Sequence, residues 1–235
     1  MMNKNRMLAI FGDSIMKGVQ VQRETKRYLA EDFLTDSLES RFGISLKNCS
    51  RFGYTVTRGR DFLTRQMEKG LNADLVVLEY GGNDADFKWN EIAEDPDGEH
   101  EPNTPLPVFS EILSGLIDHV RSCGKRPVLM TLPPISSERY LDWITRDRLS
   151  KERILSWLGD AGAIYRYQER YSNAIKNTAE RKKVDLIDIR DTFLAHRQLL
   201  PYLCIDGIHP NSEGQRLIRE AFSKELALLA ADGTR

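Results

Sequence analysis

Cysteine is scarce in this chain. Cys49, Cys123 and Cys204 are odd in number and lack the spacing of a metal site. They argue against a disulfide framework and read as free thiols in a reducing compartment. Histidine is nearly as scarce. No two of His100, His119, His196 and His209 lie close enough in sequence to form a local metal motif, so no metal and no cofactor is expected. A net charge is missing too. Lys and Arg number 34 against 35 Asp and Glu, which leaves −1 over 235 residues. That removes any global electrostatic case for a nucleic-acid partner or an anionic membrane surface. No apolar run approaches the roughly 20 residues of a membrane span, so no stable membrane insertion is expected. The opening Met1-Met2-Asn3-Lys4-Asn5-Arg6 is basic, but only Met7 to Phe11 follow it as apolar sequence. That is too short for the core of a signal peptide, and the expected location is cytoplasmic. Internal repeats, low-complexity tracts and linkers are also lacking. A single domain over 1–235 is expected, with its core at about 7–230.

What the chain does have is alternation. Short apolar runs at Met7–Phe11, Ile44–Cys49, Leu75–Leu78, Arg126–Leu132 and Val184–Asp188 read as strands. Between them lie amphipathic stretches expected as helices: Tyr28–Arg41, Arg58–Lys69, Pro107–Arg121, Ile164–Lys182, Arg190–Arg197 and Ser212–Ala230. Residues 135–160 read as a loop followed by a helix. Leu75-Val76-Val77-Leu78 is continuously apolar, as suits a parallel strand covered on both faces. The alternation predicts an α/β three-layer sandwich with a parallel sheet. Residues 86–107 break the pattern with four prolines and a cluster of acids, and read as an inserted loop, a flap or a mobile segment.

If the strands are parallel, the loops after them gather on one edge, where open α/β sheets bind ligands. The first strand ends at Gly12-Asp13-Ser14. Alone, that tripeptide reads first as an ordinary strand-ending turn. A nucleophilic serine needs a base and a group to orient that base. His209 has the chemistry of the base. Asp206, three residues earlier, can accept from its Nδ1–H across a single turn. Donors for an oxyanion are available in the Ser14 and Gly53 N–H groups and the neutral Asn83 amide. Phe87, Trp89, Tyr140 and Trp143 are candidates for pocket walls or for ordinary loop packing. A metal-dependent phosphoesterase using Asp13, Asp84 and Asp206 is a rival reading.

Four blocks stand in order: Gly12-Asp13-Ser14, Gly53 within Asn48 to Thr55, Gly81-Gly82-Asn83-Asp84, and Asp206-Gly207-Ile208-His209-Pro210. They resemble the four blocks of the SGNH (GDSL-type) hydrolases, over about residues 7–220. Ile15 takes the place of the usual leucine after Gly-Asp-Ser. The resemblance implies a flavodoxin-like sheet of about five parallel strands. It implies a serine esterase with a Ser14–His209–Asp206 catalytic triad, and an oxyanion hole of Ser14, Gly53 and Asn83. The partner implied is a small-molecule or carbohydrate ester. The acids and prolines of 86–107 suggest a polar rim, hence a short-chain or acetyl ester of a polar alcohol such as a sugar. The alternatives are a lysophospholipase- or thioesterase-type acyl hydrolase and a non-catalytic binding protein on the same fold.

Overall fold

The computed structural model describes residues 7–232, with side chains through 227. The basic N-terminal hexapeptide and most of the C-terminal Asp-Gly-Thr-Arg lie outside the described residues.

Five strands form one parallel sheet: β1 (Met7–Gly12), β4 (Ser45–Asn48), β5 (Leu75–Glu79), β6 (Arg126–Met130) and β7 (Asp185–Ile187). Their spatial order is β4-β1-β5-β6-β7, the flavodoxin-like order in which the chain reverses direction across the sheet beside β1. The register sets Ile10 opposite Asn48 on one side of β1 and opposite Val77 on the other, with Gly12 opposite Glu79.

Alternate residues of the strands face opposite layers, as the two-residue period requires. Ala9, Phe11, Val76 and Leu78 join one core with Val56 and Leu63 of α2 (Val56–Glu68), Leu113 and Leu116 of α4 (Leu106–Ser122), and Ile175 of α7 (Gly162–Lys182). Leu8, Ile10, Leu75 and Val77 join the other core. There they meet Leu38 of α1 (Thr35–Phe42), Phe193 of α8 (Ile189–Leu194), and Leu217 and Phe222 of α9 (Ser212–Asp232). This is the expected three-layer sandwich. No helix among the described residues is long and apolar enough to cross a membrane.

Three segments differ from expectation. Tyr28–Arg41 is not one helix. Val19–Val21 (β2) and Tyr28–Ala30 (β3) form an antiparallel hairpin, and α1 begins only at Thr35. Asp32 accounts for the late start, because Oδ1 accepts the Leu34 and Thr35 N–H groups, each at 3.0 Å. A local carboxylate cap thus outcompetes the helical period. Residues 135–160 hold two helices, α5 (Ser137–Thr145) and α6 (Lys151–Leu158), each started by a serine whose hydroxyl accepts from the N–H three residues on. The 86–107 insert is not patternless. It contains a short helix, α3 (Trp89–Glu94), and its Phe87, Trp89 and Ile92 pack with Ile135, Leu141 and Ile154 in a third core above the sheet edge. The inner face of the insert is therefore aromatic rather than polar, and its removal would open that core.

Gly59 lies on the buried face of α2, and a Cβ there would stand 2.3 Å from Tyr80 Cζ. Helix propensity alone favours Gly59→Ala by about 1 kcal/mol. Overpacking a closed contact costs about 1–3 kcal/mol and decides the sign. Gly59→Ala is expected to lower the urea midpoint, and a raised midpoint would show that α2 can move off Tyr80 freely.

Candidate active site

The loops that follow β1, β4 and β5, and the loop before α9, meet at the carboxyl edge. Asp13 and Ser14 follow β1. The loop after β4 is stitched to the same strand, with the Cys49 N–H donating to Ile10 O at 2.8 Å and the Arg51 N–H to Gly12 O at 3.0 Å. That stitching carries Gly53 alongside the end of β1, at a φ of 70° suited to glycine.

The last loop is folded by Asp206 itself. Its Oδ1 accepts the N–H groups of Ile208 and His209, each at 3.2 Å. Its Oδ2 accepts from His209 Nδ1 at 2.6 Å. The side chain therefore closes the turn and orients the imidazole at once. Gly207 has φ +77°, and a Cβ there would lie 2.6 Å from Arg139 Cβ and 2.7 Å from Ser136 O. Glycine alone lets the loop dock on the start of α5, where the Ser136 N–H donates to Gly207 O at 2.8 Å.

The Asp206 bond fixes the hydrogen of His209 on Nδ1, so Nε2 is the acceptor. The Ser14 hydroxyl donates to it at 2.9 Å. Asp206, His209 and Ser14 are 0, 3 and 7% exposed, so the relay runs from a dry carboxylate to an oxygen at the pocket wall. Phe52 lies parallel to the imidazole at 6.3 Å between centroids, and Tyr28 stands edge-on to it at 5.4 Å. The Trp143 Nε1–H donates to the Tyr28 hydroxyl at 3.0 Å. The hairpin that replaced the expected helix thus delivers one wall of the imidazole's surroundings.

Among the described residues, neither the Ser14 N–H nor the Gly53 N–H donates to a protein atom. Both are open donors. The Asn83 amide is engaged, with Nδ2 donating to Asp13 Oδ2 at 2.8 Å and to Tyr54 O at 3.2 Å. The acids of the rival metal reading have other partners. Asp206 serves His209, and Asp13 accepts from the Ile15 N–H at 2.8 Å and from Asn83. Asp84 holds the Val56 N–H at 3.0 Å from each oxygen. Among the described residues no three His, Cys, Asp or Glu stand together as a metal site.

Two spaces open from Ser14 and His209. One is a recess walled by Phe87, Trp89, Leu132, Tyr140, Ile164 and Tyr167. The other is a shallow trough bordered by Tyr28, Phe52, Asn90, Trp143 and Arg146. Phe87, Trp89 and Tyr140 thus serve as both pocket wall and packing. Asp86 couples them, its Oδ1 accepting from Trp89 Nε1 at 2.8 Å and its Oδ2 from the Tyr140 hydroxyl at 2.7 Å. Sequence reasoning missed Tyr28, Phe52, Asp86, Ile164, Tyr167 and Glu79. Only Glu79 carried a signal, as a charged residue closing an otherwise apolar strand.

The sequence matches the GDSL-like Lipase/Acylhydrolase family over residues 10–217. The chain belongs to that family. A member of it is an enzyme acting on ester bonds. Among solved structures, the lipase/acylhydrolase from Enterococcus faecalis is 20% identical. It aligns over 94% of this chain and 95% of its own, with a TM-score of 0.63. A catalytic mutant of the acetylxylan esterase Axe2 from Geobacillus stearothermophilus is 19% identical over 94% and 93%, with a TM-score of 0.62. The psychrotrophic esterase EstA from a Pseudoalteromonas species is 16% identical over 96% and 99%, with a TM-score of 0.61. At these identities the likeness is one of fold. No curated protein matches the sequence.

Asp84 holds the start of α2 from within the protein, and burial raises its carboxyl from 3.8 to about 7. Folded, the group keeps its proton at pH values where the unfolded chain has lost it. Its contribution to stability is whole below about pH 4 and is lost as pH rises through about 7. Between about pH 5 and 8 the protein is expected to lose of order 2 kcal/mol more than Asp84→Asn does. Urea denaturation of both at the two pH values measures the difference, and parallel losses would refute it.

Proposed function

We propose that this protein is a serine esterase that hydrolyses a carboxylic ester through an acyl-enzyme. The observation that carries the reading is the buried line from Asp206 Oδ2 to His209 Nδ1, at 2.6 Å, and from His209 Nε2 to Ser14 Oγ, at 2.9 Å. Both distances lie within hydrogen-bond reach, as an activated nucleophile requires. His209 takes the Ser14 proton as Oγ attacks the ester carbonyl. Asp206 stabilises the imidazolium that forms and holds the ring in the productive tautomer. The alkoxide oxygen of the tetrahedral intermediate is held by the open N–H groups of Ser14 and Gly53. The Asn83 amide joins them by exchanging its 3.2 Å contact with Tyr54 O for the oxyanion, while the shorter bond to Asp13 stays. Catalytic hydrogen bonds of this kind tighten only when charge develops. His209 then protonates the leaving alcohol, and water repeats the sequence on the acyl-enzyme.

For the substrate, the two spaces divide the ester. The aromatic and aliphatic recess suits the acyl group, and the bulk of Phe87, Trp89 and Tyr140 favours a short chain. The trough, with aromatic faces beside Asn90 and Arg146, suits a polar alcohol such as a sugar. The apolar lining is also what supports the second reading, a lysophospholipase- or thioesterase-type hydrolase with a longer chain.

A p-nitrophenyl ester series from acetate to long chains, run with and without chelator, tests these readings together. Ser14→Ala is expected to lower kcat by at least about 1,000-fold and Asn83→Ala by about 100-fold or more. Turnover that survives Ser14→Ala would remove the mechanism, and loss of activity with chelator would favour the metal-dependent rival. Trp89→Ala should shift the preferred acyl chain toward greater length. An unchanged chain profile would place the acyl group elsewhere.

A further inference from the structure

Glu79 closes β5, a strand whose other four residues are apolar, and it is 0% exposed. A carboxyl group withdrawn from water without a lysine or arginine beside it is costly to ionise. Glu79 Oε2 accepts the Asp13 N–H at 3.1 Å. Its carboxyl group also lies against the Asp13 carboxyl, and among the described residues Oε1 finds no N–H or O–H donor. Gly12 makes room for it, since a Cβ at that position would stand 2.7 Å from Oε2. The two touching, buried carboxyls do not both ionise, and one proton stays with the pair. Burial first, and then the Asp13 charge, push Glu79 well above the usual carboxylate range. Asp13 is raised too, by burial first, with the Ile15 N–H, the nearby His209, Glu79 and the Asn83 amide opposing it in part. Both Asp13 oxygens accept N–H donors, from Ile15 and Asn83, whereas Glu79 Oε1 accepts none, so Glu79 carries the proton and Asp13 the charge. Besides His209, the titratable groups facing the pair are Tyr80 and Asp84.

Resting on the esterase reading above, we infer that Glu79 is a positioning residue. By donating a hydrogen bond to the Asp13 carboxylate it keeps Asp13 an acceptor only, and Asp13 thereby holds the Asn83 amide with Nδ2, not its carbonyl oxygen, toward Ser14. The two ends of an asparagine amide are nearly the same size, so packing does not choose between them. An acceptor-only partner does. Tyr54 O is a second such partner in the free enzyme, but the oxyanion displaces it, so Asp13 is the one that holds the amide through the reaction. A neutral Asp13 would donate to Asn83 Oδ1 instead, and the flipped amide would present its oxygen to the oxyanion.

The test is a mutant cycle on p-nitrophenyl acetate. Glu79→Leu should lower kcat about 10- to 100-fold with KM within about two-fold, a loss of the size of one oxyanion donor. Glu79→Gln, whose amide can still donate to Asp13, should stay within about three-fold. In an Asn83→Ala background, Glu79→Leu should cost less than about three-fold, because the group it positions is gone. Equal losses in both backgrounds, or Glu79→Gln as impaired as Glu79→Leu, would overturn the inference. A second measurement needs neither turnover nor the leucine variant. The infrared difference between the wild type and Glu79→Gln at about pH 8 should show the carbonyl band of a protonated carboxylic acid. Its absence would overturn the inference even in an active esterase. Its presence in a protein that cleaves no ester would refute the esterase reading and, with it, the role at Asn83.

Discussion

β1 has a hydrogen-bonded neighbour on each edge and a hydrophobic core on each face. Such a strand meets the outside only at its ends, and at its carboxyl end the chain turns through Gly12, Asp13 and Ser14. Everything in the site refers to that point. β4 and β5 run parallel to β1 and in register with it, so the loops carrying Gly53 and Asn83 leave the sheet beside Ser14. Parallel pairing makes this obligatory, since each strand's loop leaves on the same edge. The last loop reaches the edge differently. It is folded by Asp206 and docked on α5 through the space at Gly207.

The carboxyl groups beneath the site share one logic. Glu79, Asp13, Asp84 and Asp206 are all buried, and each is bound to backbone N–H groups of a loop that presents a functional group. Asp13 holds the turn of Ser14, Asp84 the start of the helix after Gly53, and Asp206 the turn of His209. Backbone N–H groups in these loops have no strand or helix partner, so a buried carboxyl satisfies them while fixing their geometry. The electrostatic cost appears as carboxyl groups held protonated, Glu79 among them.

The four blocks were legible because each is local. Gly-Asp-Ser, Gly-Gly-Asn-Asp and Asp-Gly-Ile-His-Pro contain the residues that make their own turns, and those turns are what the structure shows. The strands were legible because a doubly covered parallel strand is a run of apolar residues. The β2–β3 hairpin was not, because Leu29, Phe33, Leu34 and Leu38 carry a helical spacing that the Asp32 cap overrides. Nor was the third core. Phe87, Trp89 and Ile92 have no period of their own, and the core they join is closed by residues about forty or more positions later. The polar composition of 86–107 describes its outer face, and the pocket wall is its inner one.

The sequence by itself determined the order of the five sheet strands and of the helices that cover them, the family, and which residue types stand at the ends of which strands. These depend on local turn chemistry and on the period of the apolar residues. Tertiary structure alone decided that Phe52 and Tyr28 flank His209, that the recess beside Ser14 is aromatic, and that Glu79 shares a proton with Asp13. Each is a contact between segments far apart in the chain, created when the sheet brings its loops to one edge. In the case of Glu79, burial decides its charge, and burial exists only once β5 lies between β1 and β6.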